Sequence, residues 1–213
     1  MEQILILGSG GHAASLVDIL ERENKYEIAG YVVNDKKADC CDYPILGMDE
    51  DLTQLYQNGI KNAAIGIGYL GKSDLRERLY GRLKEIGFNL PVICDPSAVV
   101  SKGADIGEGT LIGKGAIVNV GATVGKICII NSGAIVEHGC VVNDFAHISV
   151  GSVLCGGVIV KRAAFIGANA TILQEKTVGE NCIVGAGSTI RKNVEDYNMV
   201  WNKESTRCLR IRG

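Results

Sequence analysis

From Val100 to Ile190 the chain places an aliphatic residue at every sixth position, sixteen times in succession and without an insertion. The series opens Val100, Ile106, Ile112 and closes Val178, Val184, Ile190. Two positions before each stands a small residue (Ala, Ser, Thr or Cys), a rule broken only at Val158 and Lys176. Three positions after each comes Gly in nine cases, with Asn at Asn169, Asn181 and Asn193. Gly and Asn are the residues that tolerate turns of positive φ. A period of six excludes an amphipathic helix. Short strands of the form small-x-aliphatic, each closed by a tight turn, predict a parallel β-helix with three strands per coil. Residues 98–193 then make a little over five coils of 18 residues. The spacing implies a triangular coil and says nothing of its hand.

Such a coil has a thin core, and the composition agrees. Of 28 Gly in the 213 residues, 16 lie within 98–193, whereas Phe145 and Phe165 are the only two of the chain's 11 aromatics found there. No Pro follows Pro96, as expected where every coil bonds to the next. The net charge of −2 argues against a protein that binds nucleic-acid backbone. No apolar run approaches the ~18 residues that span a bilayer, and the first residues lack a signal-peptide layout. The eight Cys form no C-x-x-C pair, and Cys40-Cys41 is their only close pair. The expectation is a soluble cytoplasmic protein with reduced thiols and no membrane partner.

The N-terminal third reads differently. A buried strand Gln3–Leu7 runs into Gly8-Ser9-Gly10-Gly11-His12-Ala13 and an amphipathic helix through about Asn24. A second strand, Glu27–Val33, ends in Asn34-Asp35. A helix over Asp49–Asn58, a third strand over Asn62–Gly68 and a charged helix over Lys72–Gly87 follow. This alternation predicts a small Rossmann-like parallel α/β domain over residues 1–95, with the coil and a short tail over 96–213. Gly8, Gly10 and Ala13 match G-x-G-x-x-[GA], and Asp35 stands 22 positions beyond Ala13. That is a dinucleotide fingerprint. Three strands make only half a dinucleotide fold, and nothing afterwards holds a nicotinamide. The loop therefore favours a nucleotide-linked ligand, its phosphates on the helix N-terminus, over NAD or a purely structural turn.

The chain has only three His: His12 in the glycine loop, and His138 and His147 in the coil. The last two lie in Glu137-His138-Gly139-Cys140-Val141-Val142-Asn143-Asp144-Phe145-Ala146-His147-Ile148-Ser149. This segment resembles E-H-x-C-x-[IV]-x-D-[FY]-x-H-[IV]-S, and Gly8, Gly11 and His12 match a G-x-x-G-H loop. Together they identify a likeness to the hexapeptide-repeat sugar acetyltransferases, among them the bacillosamine-pathway nucleotide-sugar N-acetyltransferases and the sialic-acid O-acetyltransferases. The resemblance implies a left-handed coil, acetyl-CoA as co-substrate, and His138 as general base. Relatives with an acidic residue after that His have Gly139 here, which leaves Glu137 or Asp144 to orient the ring. It also implies that Gly10, Gly11, His12, Asn34, Asp35 and Gly68 bind the nucleotide sugar, and that His147, Ala168 and Ala186 line the acetyl-CoA groove. The loop Tyr69–Ser73 before Arg76 is longer than in relatives, and the tail from Val200 to Ser205 replaces their G-x-P-A segment. Cys140 falls on a small inward position and reads as core, as Trp201 reads as packing on the last coil.

The expected reaction is N-acetylation of the 4-amino group of a UDP-linked 4-amino-4,6-dideoxy sugar, without a metal. O-acetylation of a sialic acid or another sugar hydroxyl is the alternative within the class. A non-catalytic nucleotide-binding or scaffolding solenoid is the alternative outside it. Nine residues, half a coil, separate His138 from His147, so they belong to different faces of one prism. An active site shared between subunits of a homotrimer would let them converge.

Overall fold

The computed structural model describes residues 1–34, 43–68 and 74–201. Asp35, Cys40-Cys41, the Tyr69–Ser73 loop and the tail from Asn202 onwards lie outside the described residues. No helix among the described residues is long and apolar enough to cross a membrane.

The N-terminal domain runs β1 (Glu2–Leu7), α1 (Gly11–Glu23), β2 (Tyr26–Val32), β3 (Ile45–Gly47), α2 (Leu52–Gln57), β4 (Asn62–Ile65) and α3 (Asp74–Ile86). The four strands are parallel, in the order β3-β2-β1-β4. Ile4 to Leu7 are buried, as a strand covered on both faces requires. Helix α1 buries Ala13, Leu16, Val17, Ile19 and Leu20 and ends at Asn24, whose φ of 51° breaks the helix. The sequence predicted three strands; β3 is the fourth. Its three residues are too few to show alternation, and it is recruited by pairing with Tyr31 and Val32. The expected Asp49–Asn58 helix begins as one 3-10 turn, Asp49–Asp51. Strand β4 ends at Ile65, short of Gly68, and Gly66 passes close under α1, where a Cβ would lie 2.9 Å from that of Ala13.

From Ile93 the chain winds into a left-handed parallel β-helix of three faces. The first face carries seven two-residue strands, from Ile93–Cys94 to Met199–Val200. The second carries six, from Val99–Val100 to Thr189–Ile190, and the third five, from Asp105–Ile106 to Thr177–Val178. Register is 18 residues up to the last coil, so that Ile129 lies between Leu111 and His147, and it shortens to 16 at the end, where Ile183 pairs with Met199 and Val178 with Val194. From Ile112 to Ile190 the sixth-position aliphatics and the small residues before them form one buried column, whereas at its open first coil Ile106 is partly buried and Val100 exposed. Fully burying each Val or Ile contributes about 1.5–3 kcal/mol.

The turns explain where the domains meet. At the corner from the third face to the first, Ile127, Phe145 and Ala163 occupy the turn position at φ of 53°, 62° and 53°. A left-handed conformation costs a residue with a Cβ about 1–2 kcal/mol. All three side chains are buried against the N-terminal domain, in one cluster with Leu79, Leu83, Phe88 and Leu90. Buried Arg76 of α3 spans the same corner, donating to the carbonyls of Ile127 and Phe145. On the adjoining first face, Ile93, Leu111 and Ile129 pack against α1. The domain is thus fastened to one corner and one face of the prism, and burial there offsets the backbone strain.

Candidate functional site

The glycine loop stands where β1 ends between β2 and β4, the point at which the strand order reverses and ligands bind in open parallel sheets. Gly8 has φ +95°, and a Cβ on it would press to 2.8 Å from Ile67, so the turn requires glycine. Gly10 caps α1 with no side-chain hydrogen bond, and the first turn carries no acid. The helix's first N–H groups and its positive end therefore face outward unanswered by a local side chain. A Cβ on Gly10 or Gly11 would meet nothing within 4 Å, so both border open space. His12 lies inside the loop, its Cβ 3.6 Å from where a Cβ on Gly68 would be. Burial, then the nearby Arg76 cation, lower its pKa to about 4, so the ring is neutral near pH 7.

A cleft of about 760 Å³ opens in front of this loop. Gly8 to His12 and Gly66 to Gly68 form one wall, and Asn131, Ser132, His147 and Val150 of the coil form the other. His147 is buried, with its Nε2 3.3 Å from Asn131 Nδ2 and its ring edge-on to Phe165 at 5.1 Å. The residue assigned by resemblance to the acetyl-CoA groove thus opens on the cleft that holds the glycine loop. Val150, Ala168 and Ala186 follow one another up the same corner at 18-residue steps, Ala168 half-buried and Ala186 exposed. Of the three only Val150 lines the cleft.

His138 stands at a different corner, between the second and third faces, with its side chain 68% exposed. Its Nδ1 lies 2.9 Å from Glu137 Oε2. A carboxylate only accepts, so Nδ1 carries the hydrogen and Nε2 is left as the basic nitrogen. The same Glu137 oxygen accepts from the His138 backbone N–H and from Asn119 Nδ2, both at 3.1 Å. The hydrogen bonds from His138 hold the Glu137 carboxyl below the usual carboxylate range. Asp144 does not reach His138. Its Oδ1 accepts the Lys126 backbone N–H at 2.8 Å, one coil down at another corner. Gly139 has φ 66°, a turn conformation that suits glycine and leaves the carboxylate to be supplied from the other side of the histidine.

Three neighbours of these residues went unread in the sequence. Asn119 lies one 18-residue coil before Glu137, and Gly156 one coil after His138, so a step of 18 from the motif finds both. Asn131 carries no such signal; it is seen only when the domain docks. Among inward thiols, Cys140 is fully buried, as its repeat position predicted. Trp201 is half exposed, its Cβ at the last coil beside Gly185. Asn34 is described, at the end of β2, whereas Asp35 falls outside the described residues.

Residues 3–83 match the family model described as the PglD N-terminal domain. No curated protein matches the chain. Among solved structures, the chain is 31% identical to a GDP-perosamine N-acetyltransferase from Caulobacter crescentus, covering 93% of both chains with a TM-score of 0.88. That protein was crystallised as a histidine-to-alanine variant with CoA and GDP-perosamine. The acetyltransferase domain of PglB from Neisseria gonorrhoeae, in complex with acetyl coenzyme A, is 27% identical over 93% of this chain and 95% of that one, TM-score 0.86. WeeI from Acinetobacter baumannii shares the fold at 22% identity and a TM-score of 0.80.

Proposed function

The chain belongs to the hexapeptide-repeat sugar acetyltransferase family, and from that premise we propose that it transfers an acetyl group from acetyl-CoA to the amine of a nucleotide-linked amino sugar. The acceptor we assign is the 4-amino group of a UDP-linked 4-amino-4,6-dideoxy sugar, of the bacillosamine type. The observation that carries the reading is the His138–Glu137 pair, a 2.9 Å bond that leaves one imidazole nitrogen basic on a largely exposed side chain.

The roles follow from the chemistry. Residues 1–95 hold the nucleotide, with its diphosphate on the N–H groups at Gly10 and Gly11 and His12 as a neutral hydrogen-bonding partner. Asn34 and Gly68 border the same ligand. The coil, residues 96–213, carries acetyl-CoA along the corner of His147, Ala168 and Ala186. The neutral amine attacks the thioester carbonyl, forming the C–N bond as the carbonyl electron pair moves to oxygen. Nε2 of His138 takes the proton that the nitrogen sheds. Collapse of the tetrahedral species breaks the C–S bond, and the departing thiolate takes the proton back as CoA thiol. Glu137 holds the tautomer and stabilises the transient imidazolium.

Within one chain His138 and the cleft occupy different corners, so the reading assigns His138 to the cleft of a neighbouring copy in a homotrimer. Acetyl-CoA and nucleotide sugars are cytoplasmic metabolites, and the enzyme belongs with them. The test is incubation with acetyl-CoA and a panel of UDP-, dTDP- and GDP-linked 4-amino sugars, with sialic acid alongside, following free thiol. Release with an amino sugar is expected; release with sialic acid alone overturns the amine acceptor, and release with none overturns the enzyme.

A further inference from the structure

Arg76, in the first turn of α3, is 2% exposed, and a guanidinium buried so deeply needs acceptors around it. It finds two on the coil. Its Nη2 donates to the carbonyl of Ile127, and its Nη1 to that of Phe145 at 3.5 Å. Both carbonyls are left over by the coil itself. The N–H groups of Ile127 and Phe145 bond the preceding coil at 2.9 Å each, whereas among the described residues no backbone N–H reaches their carbonyls. The strands that leave these two turns are Ile129–Ile130, which runs into Asn131, and His147–Ile148. One side chain thus grips two successive coils just ahead of Asn131 and His147, which line the coil wall of the cleft. The same cation lies near enough to His12, on the opposite wall, to act on its charge.

Resting on the amino-sugar reading above, we propose that Arg76 is a positioning residue of the transfer reaction: forked onto the coil and set against His12, it holds the two walls of the cleft at the separation the amino sugar requires. A planar guanidinium presents its donors in a rigid fork, so two carbonyls one coil apart define where its plane, and with it the start of α3, comes to rest. Lysine offers a point charge on a flexible stem and defines neither. The coil needs no such support. Its own ladder fixes Asn131 and His147, whose N–H groups each bond the next coil at 2.9 Å. What Arg76 places is therefore the domain wall, with His12 in its glycine loop. Charge adds a second effect. The first turn of α1 brings no acid, and the groups facing His12 are Arg76 from α3 and His147 across the cleft. Among the described residues Arg76 is the one charged side chain that moves the His12 titration.

Arg76→Lys and Arg76→Met in the full chain test this, assayed with the amino-sugar nucleotide that releases most thiol with wild type. Arg76→Lys keeps the cation and loses the fork. It should lower kcat/KM for the amino sugar roughly tenfold or more, since a displacement of about 1 Å costs as much as about 100-fold. Acetyl-CoA binding, followed by calorimetry, should stay as in wild type. The His12 signal, read by NMR of the chain labelled at its three histidines, should still titrate at about 4. Arg76→Met loses both fork and charge. Its kcat/KM should fall at least as far, and its His12 titration should move upward, stopping below the ordinary value because burial is the larger cause. A merely structural arginine would lower the denaturation midpoint in both variants and leave the contrast between sugar and acetyl-CoA, and the His12 signal, unmoved. Wild-type kcat/KM in Arg76→Lys overturns the proposal, as does a stationary His12 signal in Arg76→Met. If Arg76→Met fails to fold, the kinetics of Arg76→Lys decide alone. If wild type and Arg76→Lys acetylate the amino sugar equally well, this inference fails and the reaction stands. If wild type releases thiol with no acceptor of the panel, both fail.

Discussion

A Cβ on Gly156 would lie 2.6 Å from Nε2 of His138, the nitrogen that the Glu137 bond leaves basic. The next coil therefore carries a slot with no side chain, and the imidazole rests in it. Gly156 is not at a positive φ, so alanine there meets the ring and not a backbone barrier. Gly156→Ala should leave stability within about 1 kcal/mol of wild type while displacing His138 by a fraction of its own width. Misplacing a catalytic group by about 1 Å lowers turnover as much as 100-fold. The expected outcome is a kcat reduced by roughly 10- to 100-fold with acetyl-CoA binding preserved, measured by thiol release and titration calorimetry. An unchanged kcat would separate His138 from the chemistry.

Glu137 and Asp144 are distinguishable by the same assay. Glu137 Oε2 bonds Nδ1 of His138, whereas Asp144 closes a turn one coil away. Glu137→Gln lets the ring take the other tautomer and should lower kcat by roughly 10- to 100-fold. His138→Ala removes the base altogether, an effect of roughly 100- to 10,000-fold for general acid–base catalysis. Asp144→Asn should affect stability and leave kcat within about threefold. If Asp144→Asn were the more damaging of the two carboxylate changes, Glu137 would not be the orienting group.

The coil was legible because its physics is one-dimensional: a column of inward aliphatics must recur with the strand period, and it does from Val100 to Ile190. The motifs also singled out the three histidines, of which the structure brings His12 and His147 to the cleft and leaves His138 at another corner. The β3 strand was not, because three residues cannot display a period and Ile45–Gly47 is strand only by pairing with β2. Nor was the convergence of His147 with His12, which depends on the docking of two domains far apart in sequence. Yet a trace of that docking was present. Ile127, Phe145 and Ala163 are the apolar exceptions to the Gly or Asn rule, one coil apart, and such exceptions mark where another surface stabilises the turn.

That corner gives a prediction with two signs of effect. Ile127→Gly relieves about 1–2 kcal/mol of left-handed strain but empties a fully buried site, where large-to-small changes cost about 2–5 kcal/mol. With about 0.5–1 kcal/mol of added unfolded-chain entropy for the glycine, a net loss of about 0.5–5 kcal/mol is expected. Ala163→Gly relieves the same strain and removes only one methyl, about 0.8 kcal/mol, together with about 0.5–1 kcal/mol of added unfolded-chain entropy. It should fall within about 1 kcal/mol of wild type. Denaturant midpoints at constant m-value measure both. Equal losses in the two variants would show that strain at this corner is not offset by burial.

His12 makes stability depend on pH with a defined sign. Its folded pKa is about 4, lowered first by burial and then by the Arg76 cation, against about 6.5 in an unfolded chain. Between those values the unfolded state binds a proton that the folded state refuses, so stability rises with pH across this window. The contribution is complete above about pH 6.5 and is lost as the pH falls towards 4, by up to about 3 kcal/mol at roughly 1.4 kcal/mol per unit. Carboxylates titrate over part of the same range, so the measurement is a difference: unfolding free energies of wild type and His12→Gln from pH 7.5 to 4. The wild type should lose more stability on acidification than the variant, with the two curves converging downward from pH 6.5. Parallel curves would mean that the loop histidine is solvated, and the neutral partner assigned to the diphosphate would have to be given up.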